Sequence, residues 1–211
     1  MKTYFITGIG TDVGKTVVAA ILTEALEADY WKPIQAGDLT NSDTIKVQNL
    51  ISNSKTVFHK ESYQLTQPMS PHAAAEIDNI KIDLAKISVP KTKNNLIIEG
   101  AGGIMVPLND KELIIDLIQK LDCEVILVSQ NYLGSINHTL LSFECLKTRK
   151  IKIAGIIFNG ESNLETEKYI LDYTGLTCLG KVDQHKAINK EVVLSYKNQF
   201  TYLNPSALGG E

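Results

Sequence analysis

Residues 5–22 read FITGIGTDVGKTVVAAIL, and the fold turns on how their glycines are read. The run nearly fits the phosphate-binding pattern G-x-x-x-x-G-K-[ST], but Ile9 stands where the first glycine belongs. Gly8 comes one position early, so five residues separate it from Gly14. A strand pattern leads into the run and a helical pattern opens at Lys15-Thr16, which is the setting in which such a loop binds phosphate. Backbone N–H groups from Gly10 through Thr11, Asp12, Val13 and Gly14 to Lys15 can converge on an anion, and the helix dipole favours negative charge there. Lys15 would reach the β- and γ-phosphates of a nucleotide, and the Thr16 hydroxyl would hold Mg2+. The bland alternative is a glycine-rich turn carrying a solvent-facing lysine. Context favours phosphate, and the extra residue reads as a loop variant.

The rest of the chain repeats the same alternation. TYFIT (3–7), NLIIEG (95–100), EVILVS (124–129) and IAGIIFN (153–159) are strand-like. Between and after them, KTVVAAILTEALEA (15–28), DKELIIDLIQKL (110–121), NHTLLSFECLKT (137–148) and ETEKYILDYT (165–174) carry apolar residues at helical spacing. Nearly continuous β-branched strands predict a mostly parallel sheet flanked by helices, an α/β fold like that of the P-loop NTPases. Residues 53–92 are more polar and less regular, as in a substrate-facing excursion, and the tail NPSALGGE reads as a loose end.

At 211 residues, with 44% hydrophobic and 21% charged residues, the chain fits one soluble domain spanning 1–211. A net charge of −3 argues against a nucleic-acid partner. No apolar run reaches the roughly 18 residues of a membrane span, and the N-terminus enters a strand directly. Three cysteines without metal-ligand spacing read as reduced thiols, which points to the cytoplasm.

Further polar residues gain meaning beside the phosphate loop. Glu99 ends an apolar run, where a carboxylate can hold Mg2+ directly or through water. Gly100, Ala101, Gly102 and Gly103 follow it, a density that lets backbone approach a ligand closely. In WKPIQAGDLTNSD, Lys32 precedes a proline that bars a helix there. Asp43 opens DTIKVQNLI, where N-capping and metal binding are both open readings. Around Ser135, Ile136 and Asn137 a helix start offers N–H groups to an anion, or Ser135 or Asn137 simply caps that helix. Leu140, Leu141 and Phe143, further along it, could pack either into the core or across an interface between two copies of the chain, and the core is the safer local expectation.

Taken in order, TGIGTDVGKT, KPIQAG followed by NSD, PMSPHAAA, IIEGAGG and LGSINHTLLS resemble the dethiobiotin synthetases, and the likeness weakens after about residue 160. The resemblance implies an enzyme that uses ATP and Mg2+ to close a cyclic urea on 7,8-diaminononanoate with CO2, in biotin biosynthesis. It implies that Thr11, Gly14, Lys15 and Thr16 bind the triphosphate, and that Thr16, Asp43 and Glu99 surround the metal. Lys32 then lies between the γ-phosphate and a carbamate, and the glycines of EGAGG lie along the substrate. Asn159 contacts adenine. The GSINH helix start receives the substrate carboxylate from the neighbouring subunit of a homodimer. The chain departs from the family at Ala36, where serine or threonine is common, and at Gly10 and Asp12, where aspartate and glutamate are frequent. Val182-Asp183 replaces the end of a Gly-x-Ile-Pro segment.

Two rival readings are a cobyrinate-type amidotransferase and a regulatory ATPase that dimerises on ATP. The first would need a glutaminase domain, for which 211 residues leave no room. The second usually carries a further lysine early in the phosphate loop, where this chain has Ile9 and Gly10.

Overall fold

The computed structural model describes residues 1–203, so the tail NPSALGGE lies outside the described residues. The chain runs β1 (Thr3–Gly8), α1 (Lys15–Leu26), β2 (Asp29–Trp31), β3 (Ile34–Ala36), α2 (Asp43–Leu50), β4 (Phe58–His59), β5 (Tyr63–Leu65) and α3 (Pro71–Ile77). It continues through β6 (Leu96–Gly103), α4 (Ile114–Leu121), β7 (Glu124–Gln130), α5 (Ser135–Thr148), β8 (Ile153–Asn159), α6 (Leu164–Thr174), β9 (Cys178–Val182), α7 (Lys190–Ser195) and α8 (Lys197–Phe200).

Seven strands form one sheet in the order β4-β2-β6-β1-β7-β8-β9, and every strand pair in it is parallel. Residues alternate between its faces, as the strand period of two requires. Tyr4, Ile6, Ile97, Ile126 and Val128 join the core under α1, whereas Phe5, Leu96, Ile98 and Val125 join a second core with Ile114, Leu117 and Ile118 of α4. Both faces are therefore covered, which is why the strands carry apolar residues almost without a break. Each such fully buried side chain contributes about 1.5–3 kcal/mol over leaving it in water.

Local boundaries differ from the periodicity in instructive ways. The pattern from Asp110 becomes helix only at Ile114, because Pro107 bridges Leu113 and the Asp116 carboxylate accepts the Leu113 N–H at 2.8 Å. Helix α5 starts two residues before the periodic run, and α1 stops at Leu26 because Glu27 turns left-handed at φ 48°. Within 53–92 the chain forms β4, β5 and α3. Strand β5 pairs in parallel with β3 in a small second sheet, with Gln35 opposite Gln64.

A parallel sheet points the carboxyl ends of its strands the same way, and ligands bind there. The phosphate loop after β1, Lys32 after β2, Glu99 in β6 and Asn159 ending β8 all come to that edge.

Candidate active site

The phosphate loop is built by two close approaches. A Cβ on Gly8 would lie 2.4 Å from Val13 Cγ2, so only glycine lets the loop fold back over the strand end. Ile9 prolongs the strand, donating its N–H to Val128 O at 3.1 Å. The additional residue thus belongs to the sheet ladder, and Gly8 serves as the first glycine. At the far end Gly14 takes φ 89° and caps α1 without a side-chain bond. Asn159 donates its amide to Val13 O at 3.1 Å, and its Nδ2 would sit 2.2 Å from a Cβ on Gly14. The resemblance implies an adenine contact for Asn159, and in the structure its amide holds the loop's carboxyl end. Asn159 also faces Val182 in register, so the departure at Val182-Asp183 lies beside it.

Lys15 is buried and donates to Gly10 O at 2.8 Å across the loop. Burial lowers its ammonium pKa to about 8, against the opposing pull of the Glu99 carboxylate. Such an ammonium is poised to gain from an incoming phosphate.

Strand order sets the rest. Tyr30 of β2 lies opposite Ile97 of β6, so Lys32 and Glu99, two residues further along each strand, fall on the same face beside α1. Glu99 is 1% exposed. Its Oε1 accepts Thr16 Oγ1 at 2.8 Å and Lys32 Nζ at 3.1 Å, and its Oε2 accepts the Tyr30 hydroxyl at 2.8 Å. Burial, together with the Glu99 charge, pushes the Tyr30 hydroxyl well above its ordinary pKa, so it stays a donor.

Lys32 Nζ also lies 2.6 Å from Asp43 Oδ2. Burial alone would lower the Lys32 ammonium, but Glu99 and Asp43 raise it above its usual value. Burial works against the Asp43 charge, while Lys32 and Lys46 hold its carboxyl below the ordinary range. Capping does not explain Asp43. Ser42 is the N-cap, its hydroxyl accepting the Ile45 N–H at 3.3 Å. Gln35 pins this helix start by accepting the Asp43 N–H at 3.2 Å while donating to Gly37 O at 2.9 Å.

A cleft of about 770 Å³ opens over these groups, bounded by Thr11, Lys15, Thr16, Lys32, Asp43 and Glu99. Asp12, Gly14, Ala101, Gly102 and residues 68–71 also line it. The PMSPHAAA motif is thus brought to the site through the β3–β5 pairing. Gly10 and Gly103 line a smaller neighbouring cavity of about 360 Å³ with His138 and Leu141 of α5, and Thr11 and Val106 border both.

The structure does not bring every expected residue to the main cleft. Ser135, Ile136 and Asn137 lie apart from its lining. Gly134, with φ 101°, caps their helix, so neither Ser135 nor Asn137 is the cap. Ser135 is buried and Ile136 packs on the core under α1. Phe143 is buried as expected, but Leu141 is 57% exposed and faces the smaller cavity instead of the core. Tyr30 and Gln35 were missed. Tyr30 is two residues before Lys32, a period-two signal that names a face only once the strand is paired.

The donor set suits Mg2+: two carboxylates that share the Lys32 ammonium and a hydroxyl bonded to one of them, all hard oxygens. Among the described residues no group of three or more His, Cys, Asp or Glu could hold a metal, so a cation here would depend on substrate phosphate and water as well.

Comparison with known proteins is consistent with this geometry. A family model described as "AAA domain" matches residues 2–192. Among solved structures, the cell division ATPase MinD of Pyrococcus furiosus superposes with a TM-score of 0.64 at 12% identity, covering 96% of this chain and all of that one. The septum site-determining protein MinD of Pyrococcus horikoshii, in complex with Mg-ADP, gives 0.60 at 14% identity over 95% of this chain and 91% of that one. At such identities these share the P-loop NTPase fold alone.

An ATP-dependent dethiobiotin synthetase of Christiangramia forsetii is 57% identical over 94% of this chain and 96% of its own. That of Cytophaga hutchinsonii is 54% identical over 93% and 95%, and that of Chlamydia pneumoniae 45% over 95% and 90%. Identity this high over nearly the full length of both chains means that the chain belongs to the ATP-dependent dethiobiotin synthetase family.

Proposed function

We propose that the chain, acting as one 211-residue unit, is a dethiobiotin synthetase that spends ATP to close the ureido ring of 7,8-diaminononanoate in biotin biosynthesis. The observation that carries this is the meeting of Lys15, Lys32, Thr16 and Glu99 in one cleft beside the phosphate loop.

In the reaction, one substrate nitrogen adds to CO2 and loses a proton, giving a carbamate. A carbamate oxygen then attacks the γ-phosphorus, and ADP leaves. The second nitrogen attacks the activated carbonyl carbon, and inorganic phosphate departs as the ring closes. No protein nucleophile is needed, so the chain's work is to position groups and stabilise charge. Lys15 grips the β- and γ-phosphates with the loop N–H groups. Lys32 meets the carbamate and the transferring phosphoryl group, and must exchange at least one carboxylate partner to do so. Thr16, Asp43 and Glu99 would hold Mg2+, which supplies a compact positive charge against the phosphate oxygens. Ala101, Gly102 and Gly103 lie along the diamine, and Asn159 braces the nucleotide end of the loop.

The substrate carboxylate is received by the Ser135–Asn137 helix start of a second copy in a homodimer. Support comes from the lining of the chain's own main cleft, which does not include Ser135, Ile136 or Asn137, and from exposed Leu141 and Met105, which border the smaller neighbouring cavity. Three unpaired cysteines support a reducing, cytoplasmic setting. The test is ATP turnover with Mg2+ and bicarbonate, with and without the diamine, and mass spectrometry of the product. Diamine-dependent phosphate release with dethiobiotin formed is expected, and ATP turnover indifferent to the diamine overturns the proposal.

A further inference from the structure

Tyr30 is fully buried in the core under α1, and its hydroxyl donates to Glu99 Oε2. The ring is held by packing against Phe58, with centroids 5.8 Å apart. A carboxylate has two oxygens, and here they are divided by function. Oε1 faces Thr16 and Lys32 at the cleft, and Oε2 is occupied by the hydroxyl of fully buried Tyr30. The division follows from register, since Tyr30 sits opposite Ile97 and its phenol reaches along the face to Glu99.

This matters for which cation the site accepts. Mg2+ demands a compact octahedron and takes carboxylates through one oxygen, whereas Ca2+ accepts six to eight oxygens and often binds a carboxylate through both. We propose that Tyr30 is a positioning residue that closes one oxygen of Glu99 and so makes the cation site favour Mg2+ over Ca2+. The inference rests on the reading of Glu99 as a metal-holding residue, and it assigns Tyr30 the choice of ion instead of a contact with substrate.

The test is calorimetric binding of a non-hydrolysable ATP analogue to the full-length protein with Mg2+, with Ca2+ and without divalent ion. It uses wild type, Tyr30→Phe, Glu99→Gln, the double variant and Phe58→Leu. Tyr30→Phe keeps the ring and removes only the hydroxyl. It is expected to shift the Mg2+-over-Ca2+ preference about tenfold toward Ca2+, the scale of one hydrogen bond to a charged group, without changing metal-free binding. In the Glu99→Gln background the same change should do nothing further, because the effect passes through that carboxylate. An unchanged ion preference in Tyr30→Phe, with metal-linked binding lost in Glu99→Gln, overturns the role of Tyr30 and leaves the metal reading standing. Metal-linked binding that survives in Glu99→Gln overturns both. An equal shift in Phe58→Leu, which loosens the packing but keeps the hydroxyl, assigns the effect to packing and overturns the inference.

Discussion

The ammonium of Lys32 lies 2.6 Å from the carboxylate of Asp43, in a pocket where Lys32 itself is only 4% exposed. On its other side stands Glu99 at 3.1 Å, so one cation serves two carboxylates. Removing one partner from a buried ion group of this kind leaves uncompensated charge and is strongly destabilising.

Lys32→Ala should therefore have two separable effects. Turnover should fall about 30- to 1,000-fold, the 2–4 kcal/mol typical of a lost transition-state donor, with affinity for an ATP analogue changed only a few-fold. The melting temperature should also drop, and Mg2+ should restore more of it than in wild type. Steady-state kinetics, calorimetry and thermal melts check this; unchanged turnover would remove Lys32 from the mechanism.

Lys15→Ala should behave differently. Its ammonium bridges the phosphate loop at Gly10 O, and in the proposed role it would grip phosphates in ground and transition states alike. Nucleotide affinity and turnover are expected to fall together, and full ATP affinity in the variant would contradict that assignment.

Asp43→Asn keeps the Ser42 cap intact, so α2 should fold normally. The Mg2+ concentration giving half-maximal rate should rise several-fold while maximal rate at saturating Mg2+ recovers in part. A Mg2+ titration identical to wild type would leave Asp43 as a partner of Lys32 alone.

Acid stability should report Glu24. Its burial would raise the carboxyl pKa, but the backbone N–H groups of Asn53 and Ser52, at 2.9 and 2.7 Å, hold it below the ordinary value. A carboxyl depressed in the folded state contributes stability above the unfolded pKa, and that contribution is lost as pH falls through the folded one. The melting temperature should decline from about pH 4.3 downward, and Glu24→Gln should flatten that part of the curve. At neutral pH the variant should melt roughly 4–8 °C lower, for a loss of about 2 kcal/mol. A variant with the wild-type acid profile would contradict this.

Shared sites can be tested by mixing inactive chains. One parent carries Lys15→Ala; the other carries Asn137→Glu, at an exposed position of the α5 start where an added carboxylate would repel a substrate carboxylate bound there as proposed. Mixed dimers should regain one working site if nucleotide and diamine groups come from different subunits. No recovery despite demonstrated subunit exchange would mean that each chain builds its whole site.

How far the sequence reached depends on the range of the interaction concerned. The strand and helix segments and the phosphate loop were legible because their signals are local. A β-branched strand run, a glycine that must take φ 89° and a lysine opening a helix all fall within about twenty consecutive residues. Lys32, Asp43 and Glu99 could be nominated one by one, but each kept a bland alternative, since no local pattern says which residues face each other. Tertiary structure decided that by placing β6 between β2 and β1. This order puts Lys32 and Thr16 on one oxygen of Glu99 and Tyr30 on the other, contacts spanning 67 to 83 residues of chain. It also brought Asn159 onto the phosphate loop, 146 residues from its acceptor, and left the Ser135 helix start out of the lining of the main cleft. Strand order is fixed by packing both faces of the sheet at once, a property of the whole core that no single window of residues contains.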